Sequence, residues 1–271
     1  MSGPRQDRAA LAAVAVLAGA FALFFLLPLA GLVERAARDG DTWKIMTNAT
    51  VRDALVLSLW TSAVTVVLAV VLGTPVAYLL ARARFRGRRL VSALVDLPIV
   101  LPPTVAGVAL LTAFGRRGLV GEPLEAWTGL TFGFTTTAVI MAQLLVAAPF
   151  YVRAAISGFE GADVQLEQVA YTLGASRLRT FFRIVVPQAR APLAAGVVLA
   201  WSRAMGELGA TLIFAGNFPG KTQTLPLAII QAFEGSALAL SGAVAMSLVL
   251  LVAALCVLVA FRYASERPAR R

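Results

Sequence analysis

The amino-acid sequence predicts an all-α polytopic membrane protein with about six transmembrane helices and a helical hairpin on its cytoplasmic side. Composition is the first reason: 59% of the 271 residues are hydrophobic and 14% are charged, whereas a soluble domain is nearer half apolar and a quarter charged. The second reason is that the apolar residues form long runs, each near the roughly 20 residues that a spanning helix requires. We therefore expect residues 1–271 to form a single transmembrane domain.

Composition also excludes several kinds of site. The chain has no histidine and one cysteine, Cys256, so it lacks the residues for an internal disulfide, and a zinc or thiol–imidazole site lacks its ligands. Cys256 lies in an apolar run and is expected to be a small buried residue. The net charge of +10 could indicate nucleic-acid binding, but the charge is concentrated in particular loops. We therefore expect no metal, no catalytic residue and no nucleic-acid partner.

Six apolar stretches are candidates for spans. The first follows two arginines but exceeds the apolar core of a signal peptide, so we expect an uncleaved helix. A shorter stretch, residues 224–233, is expected to be a re-entrant or surface helix held against protein. The predicted spans are residues 9–33, 54–81, 91–114, about 135–151, 191–216 and 240–261.

Loop charges predict the orientation of these spans. Cytoplasmic segments of membrane proteins carry an excess of lysine and arginine. With the N-terminus inside, most of the 24 basic residues fall in inner segments, chiefly 82–89, 153–190 and 262–271. We therefore expect both termini to be cytoplasmic.

Residues 215–222, AGNFPGKT, have the spacing of a phosphate-binding P-loop. A P-loop requires a buried strand before it and a helix after it, but this motif follows an apolar span on the outer side, away from ATP. We interpret the match as fortuitous. Gly216, Pro219 and Gly220 are expected instead to form a turn where the chain leaves the bilayer.

The inner segment 153–190 has signals for two short helices of its own. Asp163 is a suitable N-cap and Gly174 a suitable C′ residue for the first helix, and Ser176 and Pro187 bound the second. Apolar residues recur at helical spacing in both. The hairpin either lies on the lipid surface or docks in a groove of a soluble partner.

This hairpin resembles the cytoplasmic EAA signature of ABC importer permeases, which reads Glu-Ala-Ala, three residues, Gly, nine residues, Ile-x-Leu-Pro. In register, the chain has Gln168-Val169-Ala170, then Gly174, then Ile184-Val185-Val186-Pro187; Glu167 stands one place before the Glu position. Longer strings are similar to molybdate importer permeases in the same order, and sulfate and tungstate permeases share parts of them. The resemblance covers a core over residues 54–262, and the strings are LPIVLPPTVAG, FGRRGLVGE, LEQVAYTLGAS and SRAMGELGATLIFAGNFPGKTQTLPLAI.

The resemblance implies a pore formed by a homodimer in the lipid bilayer of a prokaryotic cytoplasmic membrane. A separate cytoplasmic subunit would bind and hydrolyse ATP with Mg, and an extracytoplasmic oxyanion-binding protein would deliver the cargo. This chain would then bind no cofactor and would not itself be an enzyme. Molybdate is the expected cargo; the alternatives are tungstate and sulfate or thiosulfate.

The resemblance also implies roles for two sets of surface residues. Residues 153–190 would be the cytoplasmic coupling segment that moves with the ATPase. The residues expected to couple are Leu166, Glu167, Gln168, Ala170, Leu173, Gly174, Ala175, Ser176, Arg177 and Pro187. The residues expected to meet the binding protein are Arg116, Arg117, Asn217 and Lys221.

Helix-breaking residues in the third span are candidates for the translocation pathway. Proline removes a backbone donor, and irregular backbone at membrane depth is tolerated only against protein or a cavity. This stretch either forms part of a gate or is a simple packing kink. Its candidate residues are Pro98, Pro102, Pro103, Thr104 and Gly107.

Charged and amide side chains within spans are a second set of candidates. Arg203 and Glu207 stand one helical turn apart in the fifth span. They either neutralise each other as a structural pair or line the path of an anion, which must not be held too tightly. Asp96 is expected to pair with Arg88 or Arg89, and Gln143 to join two helices through hydrogen bonds.

Two other classes of protein fit part of this pattern. An ion-coupled secondary transporter would need an ion or proton site and often has inverted repeats. The absence of histidine and the scarcity of acids within spans argue against it, although Arg203, Glu207 and Asp96 would be its candidates. A scaffold protein would not need the glycine-jointed hairpin.

Overall fold

The computed structural model describes residues 4–235 and 239–266, and none of these residues forms a strand. The all-α prediction is confirmed for this part of the chain. Three arginines of the inner C-terminal segment, Arg267, Arg270 and Arg271, lie outside the described residues. The helices are α1 (Pro4–Arg38), α2 (Gly40–Met46), α3 (Ala49–Arg82), α4 (Arg88–Val100), α5 (Pro103–Phe114), α6 (Gly121–Thr128), α7 (Thr136–Glu160), α8 (Val164–Thr172), α9 (Arg177–Thr180), a π-helical turn (Phe181–Val185), α10 (Val186–Met205), α11 (Gly209–Ala215), α12 (Leu225–Gly235) and α13 (Ala239–Glu266).

The described residues contain five helices long and apolar enough to cross a membrane, and a sixth crossing if α4 and α5 count as one span bent by 117°. Contacts with α7 support that count. Arg88, at the start of α4, lies 3.2 Å from Glu160 at the C-terminal end of α7. At the other end of the pair, Phe114 packs edge-on against Phe132, which precedes the N-terminal end of α7. The prediction of about six spans is therefore confirmed.

The centre of the fold is formed by α3, α7 and α10, which pack through small side chains. A β-carbon at Gly73 would lie 2.8 Å from Val152, and one at Gly196 would lie 2.8 Å from Ala154. Such close approach of backbones is typical of helix contacts within membranes. Gln143 is 1% exposed and accepts a hydrogen bond of 3.1 Å from Thr65 Oγ1 of α3, so its predicted interhelical bond is confirmed.

The fifth span differs from its prediction in two places, at the break after Met205 and at its junction with the hairpin. A continuous helix across residues 191–216 is wrong, because α10 ends at Met205 and α11 begins only at Gly209. Pro187 as the end of the hairpin's second helix is also wrong, since the chain runs from α9 through the π-helical turn into α10. The wider π turn places Pro187 in the first turn of α10, where its missing N–H is tolerated.

The end of the fold where α3 begins is completed by α2, α12 and the start of α13. The short apolar helix predicted at 224–233 is confirmed as α12, with Leu225 and Leu227 buried. The Leu225 N–H donates to Ser58 Oγ (2.7 Å), well inside α3, so α12 is held against protein. The hydroxyl of Ser241 donates to Asp39, and this bond, with the Asp41 N–H, lowers the pKa of the Asp39 carboxyl.

Cys256 was expected to be buried, and this prediction is wrong. Its side chain is exposed on α13. In a membrane protein the lipid-facing surface is as apolar as the interior, so an apolar run does not reveal which of its residues are buried.

Candidate functional site

The hairpin formed by α8 and α9 begins and turns at the residues that the sequence predicts. The carboxylate of Asp163 accepts from the Gln165 N–H (2.8 Å) and begins α8, and Ser176 Oγ accepts from the Arg179 N–H (3.3 Å) and begins α9. Between them Gly174 has φ of +81°, a left-handed conformation that favours glycine. The predicted caps and glycine joint are therefore confirmed.

The hairpin exposes apolar side chains that no described residue covers. We call this set the hairpin surface; Leu173 is 82% exposed and Leu178 73%. Large exposed apolar side chains within one short hairpin are typical of a site that meets a protein or a membrane. The hairpin surface consists of Leu166, Val169, Leu173, Leu178 and Phe182.

The ten residues predicted to couple are not equally accessible. Glu167 and Ala170 are buried, and Ala175 is half-buried. The other seven are exposed and available to a partner: Leu166, Gln168, Leu173, Gly174, Ser176, Arg177 and Pro187.

Glu167 is buried because it binds within the chain. Its Oε1 lies 2.5 Å from an Arg82 guanidinium nitrogen, and its Oε2 accepts from the Tyr78 hydroxyl (3.3 Å). The same Arg82 nitrogen donates to the Ala162 carbonyl (2.8 Å). This ion pair therefore ties α8 to the last turn of α3.

Aromatic packing joins the second arm of the hairpin to the same place. The Tyr78 ring lies edge-on to Phe159 of α7 and to Phe181 of the π-helical turn, with centroids 5.7 and 5.1 Å apart. Such pairs add about 0.5–1.5 kcal/mol beyond their buried area. Both arms of the hairpin thus contact the C-terminal end of α3. Sequence reasoning missed Arg82 and Tyr78, because neither lies near the hairpin in sequence.

A second candidate region lies in the membrane, where two broken helices meet. We call the interruptions at residues 101–102 and 206–208 the paired breaks. A β-carbon at Gly209 would lie 2.7 Å from Pro103 Cβ, and one at Gly107 would lie 2.7 Å from Ile213 Cβ and 3.0 Å from Ala210 Cα. The α5 and α11 helices that follow the breaks are therefore in close contact, which only residues without side chains permit at these two positions.

Arg203 and Glu207 form an ion pair at the second break. The guanidinium nitrogen lies 2.9 Å from Glu207 Oε2, and the side chains are 28% and 1% exposed respectively. Glu207 Oε1 accepts from the Ala210 N–H (2.8 Å), so the same carboxylate caps the start of α11. The break itself was missed, although Gly206 and Gly209, on either side of Glu207 and Leu208, were an available signal.

The paired breaks leave irregular backbone on the surface of this chain. Pro102, Pro103 and Thr104 are exposed, Pro98 is half-buried, and Gly107 is buried against α11. Exposed irregular backbone at membrane depth is tolerated only where protein or a water-filled cavity covers it.

The polar residues around these regions pair differently from some predictions. Asp96 was expected to pair with Arg88 or Arg89, but it pairs with Arg153 of α7, because α4 runs alongside that helix. The guanidinium of Arg153 also donates to Ser92 Oγ (3.2 Å). Arg88 pairs instead with Glu160.

The four residues predicted to meet a binding protein lie on the loops between α5 and α6 and between α11 and α12. Arg116 forms an exposed ion pair with Glu125 (3.0 Å), and Arg117 and Lys221 are exposed. Asn217 is partly buried and donates to the Gln231 amide oxygen (3.5 Å).

The AGNFPGKT segment is the turn that was predicted. Gly216 and Gly220 both have φ of +74°, and Thr222 Oγ1 accepts from the Phe218 N–H (3.0 Å). No strand precedes the segment among the described residues. The interpretation as a turn is therefore confirmed.

Comparison with known proteins gives consistent matches. Residues 69–270 match the family of binding-protein-dependent transport system inner membrane components. The chain is 44% identical over 176 residues to the molybdenum transport system permease protein ModB of Escherichia coli (strain K12), covering 65% of this chain and 77% of that protein. It is 43% identical over 233 residues to ModB of Mycobacterium tuberculosis (strain H37Rv), covering 86% of each.

Two further comparisons extend this picture. A probable sulfate transport system permease protein, cysT of Chlorokybus atmophyticus, is 36% identical over 216 residues, covering 78% of this chain and 75% of that protein. Among solved structures, a chain of a bacterial alginate ABC transporter in complex with a periplasmic protein aligns with a TM-score of 0.79 at 18% identity, covering 98% of this chain and 96% of that chain. The latter likeness concerns the fold alone.

Proposed function

The chain belongs to the family of binding-protein-dependent transport system inner membrane components, and from that membership we propose that it is the permease subunit of an ATP-driven importer for an oxyanion, with molybdate as the cargo. Two relatives at 43–44% identity carry molybdenum in their names, whereas the sulfate relative is 36% identical. Molybdate is therefore favoured over sulfate.

The observation that carries the proposal is the hairpin surface together with the buried Arg82–Glu167 pair. Leu173 and Leu178 are exposed, while Glu167 on the same hairpin is fixed to α3. A hairpin that merely rested on lipid would need no such attachment to the transmembrane core. Together, the hairpin surface and the ion pair fit a hairpin that transmits motion. Its exposed apolar face would sit in a cleft of a separate ATPase subunit, and its other face is joined to the spans.

The proposed mechanism follows from these attachments. ATP and Mg bind the ATPase subunits, and ATP shifts the permease only by binding one global state better than the other. When the ATPases approach each other, the hairpin moves with them. Its motion reaches α3 through Arg82 and reaches the fifth span directly, because α9, the π-helical turn and α10 are continuous.

The translocation path is assigned to the face that carries the paired breaks. Exposed backbone at Pro102 to Thr104 needs protein or water against it. A second copy of this chain, related by two-fold symmetry, would cover this face with protein and would enclose a water-filled path between the two copies. Arg203 presents a partly exposed guanidinium to that face. Glu207 holds it and reduces its attraction for an anion, which lets the anion leave.

The orientation of the chain is assigned from its loop charges. The arginine-rich loop after α3 and the hairpin lie on the cytoplasmic side, together with both termini. The loops that hold Arg116, Arg117, Asn217 and Lys221 then face the extracytoplasmic binding protein. Exposed charges at such a rim steer docking more than they hold the complex.

Reconstitution tests the proposal. The chain is placed in liposomes with its ATPase subunit and loaded binding protein, and uptake of labelled molybdate is measured with and without ATP. We expect uptake only when ATP and both partners are present, with tungstate competing more strongly than sulfate. Molybdate uptake driven by a proton or sodium gradient, without the ATPase, would instead establish a secondary transporter.

A further inference from the structure

A basic cavity of about 540 Å³ lies where α3 leaves the membrane and α4 begins. Of its three arginines, Arg88 pairs with Glu160, whereas Arg84 and Arg89 have no ion-pair partner among the described side chains. The nearby acid Asp96 is already paired with Arg153. The cavity therefore carries uncompensated positive charge, and it is lined by Arg84, Phe85, Gly87, Arg88, Arg89 and Ser92.

An apolar groove of about 390 Å³ lies deeper along the same helix. It runs between α3, α4, α5 and α7, and it includes Leu72, Leu94, Val95 and Leu145. Val95 is three residues beyond Ser92 of the basic cavity, which is about 4.5 Å along a helix. The groove and the cavity are thus neighbours, one apolar and one cationic.

The arrangement of a cationic cavity beside an apolar groove favours one class of ligand. A free inorganic anion would fill only the cavity, and an acidic protein surface would leave the groove open to lipid. An anionic phospholipid has both parts, a negative headgroup at the membrane surface and an acyl chain that extends inward. Arginines close to the surface of the cytoplasmic leaflet attract such headgroups.

We propose that an anionic phospholipid binds α4, with its headgroup on Arg84 and Arg89 and one acyl chain in the groove beside Leu94. This site goes beyond the transport function and does not depend on which oxyanion is carried. The bound lipid lies against α4, which ends at Val100, immediately before the first of the paired breaks.

Native mass spectrometry of the purified full-length chain tests the site. Phosphatidylglycerol and phosphatidylcholine with identical acyl chains are titrated separately into detergent-solubilised protein. We expect phosphatidylglycerol to be retained and phosphatidylcholine to be lost. The double variant Arg84→Gln/Arg89→Gln should bind phosphatidylglycerol about 30-fold more weakly, from the typical contribution of two surface arginines.

A matched control removes two arginines at the opposite end of the molecule, Arg35→Gln/Arg52→Gln, and should leave phosphatidylglycerol binding unchanged. A second variant, Leu94→Trp, fills the groove without changing charge and should also weaken binding. Equal retention of both lipids, or equal loss in both double variants, overturns the proposal.

Two further results would replace the lipid with another occupant. If inorganic phosphate displaces phosphatidylglycerol at equal concentration, the cavity is a simple anion site and the acyl half of the proposal is wrong. If Leu94→Trp changes dimerisation and leaves lipid binding intact, the groove belongs to an interface between two copies. Loss of ATPase binding in Arg84→Gln/Arg89→Gln, with lipid binding intact, would assign the cavity to that partner.

Discussion

The described chain contains two arginine–glutamate pairs with a buried carboxylate, and they differ in what they connect. Arg82 and Glu167 are 85 positions apart and join the end of α3 to the hairpin. Arg203 and Glu207 are four positions apart and bridge the end of one broken helix. An arginine and a glutamate thus connect two separate helices in one place, and in the other they hold the two ends of one interrupted helix.

The surroundings of the two carboxylates sharpen the difference. Glu167 binds only side chains, the Arg82 guanidinium and the Tyr78 hydroxyl. Glu207 binds one side chain and one backbone N–H, that of Ala210. Loss of Glu207 therefore exposes a helix end as well as a charge, and it should have the larger effect on stability.

Glu207→Ala is expected to have the largest effect, a loss of about 3–5 kcal/mol in the free energy of unfolding. The variant leaves Arg203 without its counter-charge and the Ala210 N–H without its acceptor. Thermal unfolding of the purified protein in lipid nanodiscs measures the change. Glu207→Gln keeps an acceptor for Ala210 and should lose less. A loss below about 1 kcal/mol for Glu207→Ala would show that the pair is dispensable for the break.

Glu167→Ala is expected to lower stability by a smaller amount, about 1.5–3 kcal/mol, because it leaves no backbone donor without an acceptor and Arg82 keeps its hydrogen bond to the Ala162 carbonyl. Its main effect should be on coupling, with ATP hydrolysed and little molybdate taken up in proteoliposomes. Glu160→Ala is the matched control, since its pair with Arg88 is exposed and should contribute under about 1 kcal/mol. Normal uptake per ATP in Glu167→Ala would refute the role of this joint.

Exchange of the two residues within each pair distinguishes a pair that only connects two helices from one whose carboxylate also caps a helix. Arg82→Glu/Glu167→Arg should remain about 1 kcal/mol less stable than the original chain, because the ion pair is restored and only the bond between Arg82 and the Ala162 carbonyl is lost. Arg203→Glu/Glu207→Arg should remain less stable by a larger amount, since arginine at 207 cannot accept from the buried Ala210 N–H. Thermal unfolding in lipid nanodiscs compares each exchanged variant with the original chain. Equal losses in the two exchanged variants would show that the capping bond has little importance.

The two pairs also show how far the sequence predicts this structure. Arg203–Glu207 could be predicted, because residues four apart on a helix face each other. Arg82–Glu167 could not, because the fold alone brings α3 and α8 together. For the same reason Asp96 was assigned to arginines near it in sequence, whereas its partner Arg153 lies on the neighbouring helix.

The number of spans and the ends of the hairpin helices were predictable for a different reason. In lipid every backbone polar group must be satisfied within the segment, so long apolar runs become helices whatever their neighbours are. Caps such as Asp163 and Ser176 act within three residues and are equally local. The continuation through Pro187 depends on the π-helical turn before it, and the break at 206–208 accompanies the close contact of α11 with α5; both were missed, although Gly206 and Gly209 were a local signal for the second.

Leu173→Glu should have the smallest effect on stability and still abolish transport. Leu173 is 82% exposed, so a change to a charged residue should alter the free energy of unfolding by no more than about 0.5 kcal/mol. A carboxylate in the hairpin surface would remain desolvated if an apolar cleft closed over it, so affinity for the ATPase subunit should fall at least about tenfold. Gln165→Glu adds the same charge on α8 outside the hairpin surface and should bind normally. If both variants bind the ATPase equally well, the hairpin surface is not the docking face. The Arg82–Glu167 pair would then not transmit motion from the ATPase subunit to α3.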